Sequence, residues 1–382
     1  MTPRKKPISK RDDSRPEEHP MLWNHRGNSM INRLKIKGFK GFDEFELAKL
    51  SRVTLLGGRN NVGKTSLLEA MFMFFDRFNP QMFLRQYSQR GVGILPLNSD
   101  SAVAPIFFDY DLDREVIITV FMNDIEETMV LKFNPSYIQP VIPAQQTNLL
   151  QIVADQRPVQ SYGLDVTLHR QGSTKKTYHI WTGSQGIGLD APKFPMKVRP
   201  AIFLASRAPS NASEDAERFG KLDVIGKQNI MLDSLRIIEP NLKSLSSVAL
   251  QGGSSLIYGD IGLSKKIPIA YMGEGMSRLS SIILGIASAD FIFIDECENG
   301  FHYSVMTQVW ESIGKAAREF NCQVVATTHS YECLRAAYKS FEGQMEEDFT
   351  YIRIDRIQRH AIPKIFSFEL LGTAMKSDME VR

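Results

Sequence analysis

A glycine-rich segment of the chain carries one lysine and one threonine at the spacing used to hold a polyphosphate. The segment from Gly58 to Thr65, GRNNVGKT, fits the pattern G-x-x-x-x-G-K-[ST]. Glycines allow positive φ angles, so successive N–H groups can curl around a phosphate, and the helix that follows points its positive dipole end at the same group. We expect Lys64 to reach the β- and γ-phosphates of a nucleotide and Thr65 to ligate Mg²⁺.

Two carboxylates follow a short apolar run later in the chain. The run Phe291–Ile294 ends in Asp295 and Glu296. A carboxylate at the mouth of a buried strand can hold Mg²⁺, directly or through water. A second carboxylate can orient or deprotonate an attacking water. The alternative is a strand that simply ends in surface acids, but the phosphate-binding pattern upstream favours Asp295 as a metal ligand and Glu296 as a catalytic base.

A histidine ends a further apolar run. The run from Val324 to Thr328 leads directly into His329, some thirty residues after the two carboxylates. An imidazole in that place could hydrogen-bond a γ-phosphate and report its presence. Single histidines are more often ordinary core or surface residues. The position of His329 after the acidic run favours a catalytic role.

The elements that must position these groups can be predicted from apolar periodicity. The run Val53–Leu56 before the glycines suits a buried parallel strand, and apolar residues from Leu67 to Phe75 have helical spacing. We also predict helices within 213–242 and at Met276–Ala289 and Ser304–Phe320, and strands at Val116–Phe121, Met129–Phe133, Leu164–His169, Thr177–Trp181, Ala201–Leu204, Phe291–Ile294 and Gln323–Thr327. The predicted fold class is α/β, a sheet flanked by helices and interrupted by a β-rich insertion.

Composition and charge exclude several classes of protein. The 46 Lys and Arg residues exceed the 43 Asp and Glu residues by three, and that excess lies in residues 1–29, so the body is neutral and does not suit a globally basic nucleic-acid binder. No apolar run reaches the ~18–20 residues that span a bilayer, and no apolar stretch follows the basic start as in a secretory signal. Cys297, Cys322 and Cys333 have no CxxC spacing, which indicates reduced thiols rather than disulfides or a zinc site. We expect a cytoplasmic protein without a membrane partner.

In this order, the three segments resemble the ABC-type ATPase heads of the OLD, RecF and SMC group, and more closely the OLD-like ATPases of bacterial anti-phage defence. Residues 57–70, GGRNNVGKTSLLEA, are similar to G-x-N-N-x-G-K-T-S-L-L-E-A; residues 295–302, DECENGFH, look like D-E-x-E-N-G-[LF]-H; residues 326–333, ATTHSYEC, look like A-T-T-H-S-x-E-C; and residues 36–42, IKGFKGF, resemble I-x-x-F-[RK]-x-F. The resemblance begins near residue 31 and implies an ABC-type P-loop ATPase head with ATP and Mg²⁺ as cofactors.

The resemblance also implies roles for individual residues. Implied catalytic residues are Lys64, Glu296 and His329, implied metal ligands are Thr65 and Asp295, and implied ATP contacts are Gly58, Asn60, Asn61, Gly63, Lys64, Thr65, Ser66, Gly273 and Gly275. The last two belong to YMGEGMSR, residues 271–278, which stands where the family has a signature loop that reaches the ATP of a dimer partner. The segment departs from the usual L-S-G-G-x, because Gly273 replaces a common serine and Glu274 adds an acid. An ordinary glycine-rich helix start is the alternative.

Composition and apolar patterns divide the chain into five expected parts, and the resemblance implies that it works as a switch. These are a disordered tail (1–29), the first part of the ATPase head (30–97), a β-rich lobe (98–200), a short helical arm (201–250) and the second part of the head (251–382). The switch would be a homodimer or higher homo-oligomer that hydrolyses ATP. About fifty residues follow Ser330, too few for a Toprim nuclease module of roughly 100 residues, so we expect a separately encoded effector.

Two other classes of function fit the same motifs less well. A DNA-repair or DNA-clamp ATPase of the RecF or Rad50 kind would need a basic surface, and the sequence has no sustained heptads for a long coiled coil. Any DNA contact here must come from a local patch, the tail or a partner. A small-molecule P-loop kinase would need neither the glycines near 273 nor His329. A water-sensing glutamine could be Gln81, Gln86 or Gln89. Lys40 and Phe39 could contact the nucleotide, but an exposed Lys40 beside a core Phe39 is favoured. Arg207 is either functional or a surface charge, and acidic neighbours are expected to raise the pKa of the Cys297 thiol.

Overall fold

A computed structural model describes residues 30–90, 102–138, 160–183, 186–190, 199–206, 211–377 and 379–381. The expected tail, residues 1–29, and Arg207 lie outside this part of the chain. Its strands are β1 (Ile31–Phe39), β2 (Phe42–Leu47), β3 (Val53–Gly57), β4 (Val116–Met122), β5 (Ile125–Ile138), β6 (Gln160–Arg170), β7 (Lys176–Gly183), β8 (Gly186–Leu189), β9 (Ala201–Leu204), β10 (Ser244–Ala249), β11 (Ser255–Asp260), β12 (Ile267–Pro268), β13 (Phe291–Ile294), β14 (Gln323–Thr327), β15 (Phe349–Ile357) and β16 (His360–Phe366).

The α-helices are α1 (Lys64–Phe75), α2 (Met82–Gln89), α3 (Ala212–Val224), α4 (Gln228–Leu235), α5 (Glu274–Ser288), α6 (Met306–Glu319), α7 (Tyr331–Phe341) and α8 (Phe368–Lys376). Within the ranges that the structure describes, no helix is both long and apolar enough to cross a membrane. The predicted helices and strands are confirmed to within a few residues at their ends, and the architecture is α/β with several sheets.

A six-stranded, largely parallel sheet carries the segments with predicted chemistry. Its order is β16-β15-β3-β14-β13-β9. β3, β13 and β14 are buried at every position, as expected for strands covered on both faces. β14 lies between the other two and runs parallel to both. The phosphate loop (residues 58–65), the two carboxylates and His329 therefore leave the same edge of the sheet side by side.

The two faces of this sheet pack against different cores. Phe291 and Phe293 of β13 face the core that contains α1, whereas Ile292 and Ile294 face the core that contains α5, α6 and α7, because side chains alternate along a strand. Phe75 of α1 stacks on Phe291 with ring centroids 4.2 Å apart. Since α1 is buried along its last nine residues, its first turn is held firmly at the end of β3.

A second sheet joins the start of the chain to the expected β-rich lobe. All seven strands pair antiparallel in the order β2-β1-β4-β5-β6-β7-β8. The register places Ile36 opposite both Phe45 and Ile118, which brings apolar side chains from three strands to one face. The expected boundary near residue 98 thus falls within one sheet rather than between two, and the division into domains stays a prediction.

The expected helical arm contains strands as well as helices. The predicted strand Ala201–Leu204 is the edge strand β9 of the parallel sheet, next to β13. The helices α3 and α4 bury Phe219, Leu222 and Leu235 in the core that also contains α5, α6 and α7. β10, β11 and β12 form a small antiparallel sheet that was not predicted. The polar sequence of β10, SLSSVA, lacks the alternation that marks a half-buried strand.

Candidate nucleotide-binding site

The phosphate loop has backbone conformations that only small residues tolerate well. Gly58 and Gly63 have φ angles of 129° and 105°, and Asn61 has 63°. A Cβ at Gly58 would collide with the carbonyl of Ile354, and a Cβ at Gly63 would lie 2.7 Å from Cζ of Phe42. The two glycines therefore let the chain curl tightly between β3 and α1.

Lys64 lies across this loop. Its ammonium group donates to the carbonyl oxygens of Gly58 at 2.7 Å and Arg59 at 3.0 Å. Burial lowers the pKa of Lys64, while the negative charges of Glu298, Asp295 and Glu296 oppose that change. The cation is thus placed between the loop backbone and a group of carboxylates, where a phosphate could replace the carbonyl partners.

The other expected loop ligands differ in exposure. Asn60 and Asn61 are exposed at the tip of the loop, and Ser66 is half-buried in the first turn of α1. No contact between these side chains and the carboxylate group is seen in the described residues. Their role as ATP contacts stays a prediction.

Asp295, which follows β13, bonds to side chains of α1 and β14. One oxygen, Oδ1, accepts hydrogen bonds from the hydroxyl of Thr65 at 2.9 Å and from the hydroxyl of Thr327 at 2.8 Å. The residue is 5% exposed. Burial raises the pKa of Asp295, and the two hydroxyl donors act in the opposite direction. A carboxylate from β13 thus holds side chains from α1 and β14.

Glu296 has a strained backbone next to this oxygen. Its φ angle is +48°, in the left-handed region that non-glycine residues rarely adopt. Its N–H donates to the Thr327 hydroxyl at 2.8 Å, and its Oε2 accepts from the amide of Asn299 at 2.9 Å. The side chain is 39% exposed. These contacts turn one carboxylate toward solvent while its neighbour Asp295 stays buried.

His329 lies between two glutamates. Its Nδ1 is 4.0 Å from Glu296 Oε1 and 3.2 Å from Glu298 Oε1. The backbone N–H of His329 also donates to Glu298 Oε1, at 3.0 Å. The imidazole is 48% exposed. The structure therefore brings Lys64, Asp295, Glu296 and His329 to one edge of the sheet, with Glu298 orienting the histidine.

The expected signature loop is the exposed start of α5. Gly273 caps the helix with a φ angle of 107°, and Tyr271 just before it is 81% exposed. A Cβ at Gly275 would lie 2.7 Å from the carbonyl of Gly300, so the loop packs closely on the segment after the carboxylates. Among the described hydrogen bonds, none joins Gly273 or Gly275 to the phosphate loop of the same chain.

One turn into α5, Arg278 connects the helix to the acidic strand. Its guanidinium donates to the carbonyl oxygens of Asp295 and Ala205, both at 2.8 Å. Burial lowers the pKa of Arg278, but a guanidinium remains charged at neutral pH. This cation is therefore fixed between β9 and β13, and it couples the position of α5 to that of the carboxylates.

The site lies within a segment that matches a known family. Residues 30–185 and 205–334 match the AAA_15 family, an AAA ATPase domain. The chain belongs to this family. A Helicobacter pylori (strain ATCC 700392 / 26695) protein named ATP/GTP phosphatase is 24% identical over 335 residues, which are 79% of this chain and 86% of that protein. This AAA_15 domain therefore contains the P-loop ATPase core that its motifs predicted.

Solved structures of SMC heads are similar to this AAA_15 domain. An SMC head bound to the C-winged helix domain of ScpA has a TM-score of 0.47 and 11% identity, covering 91% of this chain and 99% of that chain. An SMC head with an extended coiled coil, bound to the C-terminal domain of ScpA derived from Pyrococcus furiosus, has a TM-score of 0.48 and 9% identity, covering 92% and 99%.

The oxygen atoms near α1 of the AAA_15 domain fit a magnesium site. The ligand oxygens of Mg²⁺ lie about 2.1 Å from the ion in an octahedron, so neighbouring ligands are separated by about 3.0 Å. Thr65 Oγ1 and Asp295 Oδ1 are 2.9 Å apart. A threonine hydroxyl and a carboxylate are also the hard ligands that Mg²⁺ prefers. Thr65 and Asp295 can therefore share such an ion, and their role as its ligands stays a prediction.

The expectation of an exposed Lys40 was wrong. Its side chain is 10% exposed, and its ammonium group lies 2.5 Å from Oε2 of Glu69, a residue of α1 that is itself buried. Arg90 contacts both oxygens of the same carboxylate at 3.0 Å. Burial lowers the pKa of Lys40 to about 8, and the charge of Glu69 opposes that change. Lys40 thus belongs to an ionic cluster behind the phosphate loop, centred on the buried carboxylate of Glu69.

The three glutamines have different environments. Gln86 is buried and donates to the carbonyl of Phe83 in its own helix at 2.9 Å. Gln81 is exposed, and the side chain of Gln89 lies outside the described part of the chain. The choice of a water-sensing glutamine stays open among them.

The pKa of the Cys297 thiol is raised, as expected, but for a different main reason. Burial contributes most, the neighbouring thiol of Cys333 comes next, and the acidic neighbour Glu298 contributes less. The sequence suggested only the acidic neighbour, because the contact with Cys333 arises from the tertiary fold. A nucleophilic role for this buried thiol is not supported.

Several residues that build the site were missed by sequence reasoning. Thr327 bonds both Asp295 and the backbone of Glu296, and Arg278 holds the end of the acidic strand. Asn299, which follows Glu296 by three residues in a turn, orients the Glu296 side chain. The only available signal was their position next to a motif: Thr327 immediately before Thr328-His329, and Asn299 within DECENG.

Proposed function

We propose that this AAA_15 domain hydrolyses ATP with Mg²⁺ and acts as a dimerising switch. The observation that carries the proposal is the shared Asp295 oxygen, which accepts the hydroxyls of Thr65 from the phosphate loop and Thr327 from β14. Side chains from the phosphate loop, from the end of β13 and from the strand that leads to His329 thus meet at one oxygen atom. The name of the Helicobacter pylori relative, ATP/GTP phosphatase, supports a hydrolytic reaction.

Each residue of the site has a distinct task in this proposal. Mg²⁺, when bound, would neutralise charge on the β- and γ-phosphates. Thr65 and Asp295 would hold it, while Lys64 would exchange its carbonyl partners for phosphate oxygens. Glu296 faces solvent and is oriented by Asn299, so it can position a water and accept its proton. His329, held by Glu298, would donate a hydrogen bond to the γ-phosphate.

The start of α5 supports action across a dimer. Gly273 and Tyr271 are on the outside of the protein, and the described hydrogen bonds leave them apart from their own phosphate loop. The free N–H groups at a helix start attract anions. We therefore propose that Gly273 and Gly275 contact the ATP bound to a second copy of the chain. A movement of α5 at that contact would reach Asp295 through Arg278, which donates to the Asp295 carbonyl.

The biological role proposed for the switch is bacterial anti-phage defence. The signal would be the nucleotide-dependent association of two heads in the cytoplasm, and the output would be control of a separately encoded effector such as a Toprim-type nuclease. This part rests on the similarity of residues 57–70, 295–302 and 326–333 to the OLD-like defence ATPases. The described residues after Ser330 include α7, β15, β16 and α8.

Glu296→Gln tests the hydrolytic part of the proposal. Loss of the general base should lower the ATPase rate by about 10²–10⁴-fold. ATP binding should persist, and an ATP-dependent dimer should be longer-lived in size-exclusion chromatography with light scattering. Glu311→Gln, which removes a charge from the outer face of α6, is the matched control and should be unaffected. Full turnover in Glu296→Gln would refute the assignment of the base.

The effector proposal needs a separate experiment. Affinity purification of the chain expressed with its native neighbouring genes should recover a nuclease or another toxin in stoichiometric amounts. Recovery should change between wild type and Glu296→Gln, because the variant stays in the ATP-bound form. A chain that hydrolyses ATP but purifies alone in both forms would contradict effector control while leaving the ATPase assignment intact.

A further inference from the structure

Two buried thiols and one carboxylate converge beside the nucleotide site. Cys297 follows Glu296 at the end of β13, and Cys333 lies in the first turn of α7. Their Sγ atoms are 3.5 Å apart, although the residues are 36 positions apart in the chain. Glu298 Oε2 lies 3.8 Å from Cys297 Sγ, and one ligand atom from each of the three residues lies within 4.8 Å of the others.

These separations match those of ligands around one tetrahedral ion. With Zn–S bonds of about 2.3 Å and a Zn–O bond of about 2.0 Å, two sulfur ligands lie about 3.8 Å apart and a sulfur and an oxygen about 3.5 Å apart. The observed 3.5 and 3.8 Å are within a few tenths of an ångström of these values. The third pair, Cys333 Sγ and the Glu298 oxygen, lies within 4.8 Å, so side-chain rotation would bring all three atoms to bonding distance of a common centre.

We propose that Cys297, Cys333 and Glu298 form a binding site for one zinc-class metal ion. Two thiolates select soft or borderline ions such as Zn²⁺ over Mg²⁺, which prefers oxygen ligands only. The site is thus chemically distinct from the oxygen pair of Thr65 and Asp295. It also departs from the expectation of simple reduced thiols, since the cysteines meet only in the folded chain.

The backbone around the thiols is fixed, which favours a built site. The N–H of Cys297 donates to the carbonyl of Thr327 at 3.0 Å, and the N–H of Cys333 donates to the hydroxyl of Ser330 at 3.1 Å. Both thiols are at most 3% exposed. Two rigid elements, β14 and α7, therefore hold the sulfur atoms in place before any ion arrives.

Glu298 gives the site its access to solvent and its link to the histidine. Its side chain is 12% exposed, whereas both thiols are deeper. Oε2 faces Cys297, while Oε1 accepts the N–H of His329 at 3.0 Å and lies 3.2 Å from Nδ1 of the same residue. An ion would enter past Glu298, and a water would complete its coordination.

Cobalt titration under reducing conditions tests this site directly. The folded wild-type chain, freed of metal with a chelator and kept in a phosphine reductant, should bind one Co²⁺ per chain with the intense sulfur-to-cobalt charge-transfer absorption of thiolate ligands. Zn²⁺ should displace it. Cobalt at the Thr65–Asp295 oxygens gives no such absorption, so binding there is distinguishable.

Variants at the cysteines decide the outcome. Cys297→Ser and Cys333→Ser should each abolish the charge-transfer absorption, and Cys322→Ser, which changes a buried thiol outside the cluster, should keep it. Glu298→Gln should keep both sulfur ligands but weaken cobalt affinity by about tenfold or more, and it gives a result even where a cysteine variant fails to fold. Absence of the absorption in the wild type, or its persistence in both cysteine variants, would overturn the proposal.

Discussion

Thr327→Val should impair ATP turnover more than it impairs folding, because the Thr327 hydroxyl helps to position both Asp295 and Glu296. Its hydroxyl donates to Asp295 Oδ1 and accepts the N–H of Glu296, each at 2.8 Å. Valine keeps the β-branched shape that suits a strand but removes both hydrogen bonds. The substitution thus changes the support of the site while leaving Asp295 and Glu296 in the sequence.

The expected magnitude follows from the two lost bonds. A hydrogen bond to a charged acceptor contributes about 1.5–3 kcal/mol, and a buried donor left without a partner costs about 1–3 kcal/mol. Thr327 is fully buried, so water cannot replace its hydroxyl without a rearrangement. We expect the lost hydrogen bonds to remove about 3 kcal/mol of the free energy that holds Asp295 and Glu296 in position. If that loss falls on the transition state, the ATPase rate falls by roughly a hundredfold.

Thr54→Val is a matched control for this prediction. Thr54 is equally buried, on the adjacent strand β3, and its hydroxyl bonds the backbone N–H and carbonyl of Ser51, away from the carboxylates. Steady-state ATPase rates and urea unfolding should be measured for both variants. Both should be less stable than wild type, but only Thr327→Val should lose most of its turnover.

The pH profile of turnover distinguishes positioning from general damage. Burial raises the pKa of Asp295, and the hydroxyls of Thr65 and Thr327 oppose this by bonding the ionised form. Removing the Thr327 hydroxyl should raise that pKa further. Since metal binding needs the ionised carboxylate, the acid limb of the rate profile should move to higher pH in Thr327→Val. Equal fractional losses in both valine variants, with an unmoved acid limb, would refute the reasoning.

Two further substitutions test the loop and the cluster behind it. Gly63→Ala should abolish ATP binding in calorimetry, because the alanine Cβ would lie 2.7 Å from the ring of Phe42. Gly172→Ala is the control: it lies in an open turn at a φ of 76°, so it should bear similar backbone strain yet bind ATP normally. Lys40 has a pKa of about 8 against 10.5 when unburied. Between pH 8 and pH 10.5 the unfolded chain therefore binds more protons than the folded chain. As the pH rises through this window, the free energy of unfolding of the wild type relative to Lys40→Met should increase by about 3 kcal/mol. Urea unfolding at several pH values measures this, and a flat difference would contradict the burial of Lys40.

Strong local patterns made much of the fold predictable from sequence. β3, β13 and β14 are short apolar runs next to turn residues, and burial on both faces imposes that composition. The pairing of β1 with β4 was not predictable, because the two strands are separated by the whole of α1 and α2. Long-range pairing depends on the register of many side chains rather than on any local signal.

The candidate site was predictable only where a motif names the residue. Lys64, Asp295, Glu296 and His329 were each expected, and the sheet brings them together. Thr327 gave no signal beyond its place in the segment that leads to His329, since a threonine near the end of a strand is already favoured by its β-branch. The burial of Lys40 was also hidden, because it depends on a glutamate of α1 meeting a turn between two strands.

The shared oxygen of Asp295 gives a physical reason for these motifs to act as one unit. Movement of α1 away from β13 must break the hydrogen bond from Thr65, and movement of β14 must break the one from Thr327. Either movement leaves the buried carboxylate of Asp295 with one hydrogen-bond donor fewer. The Thr327 hydroxyl also holds the backbone of Glu296, and Arg278 binds the carbonyl of Asp295. A shift of Thr65 toward a bound metal would therefore change the position of Glu296, the proposed base, and of α5. Substitutions at Thr65 and Thr327 should accordingly be strongly non-additive, because either one alone already frees the carboxylate that the other helps to hold.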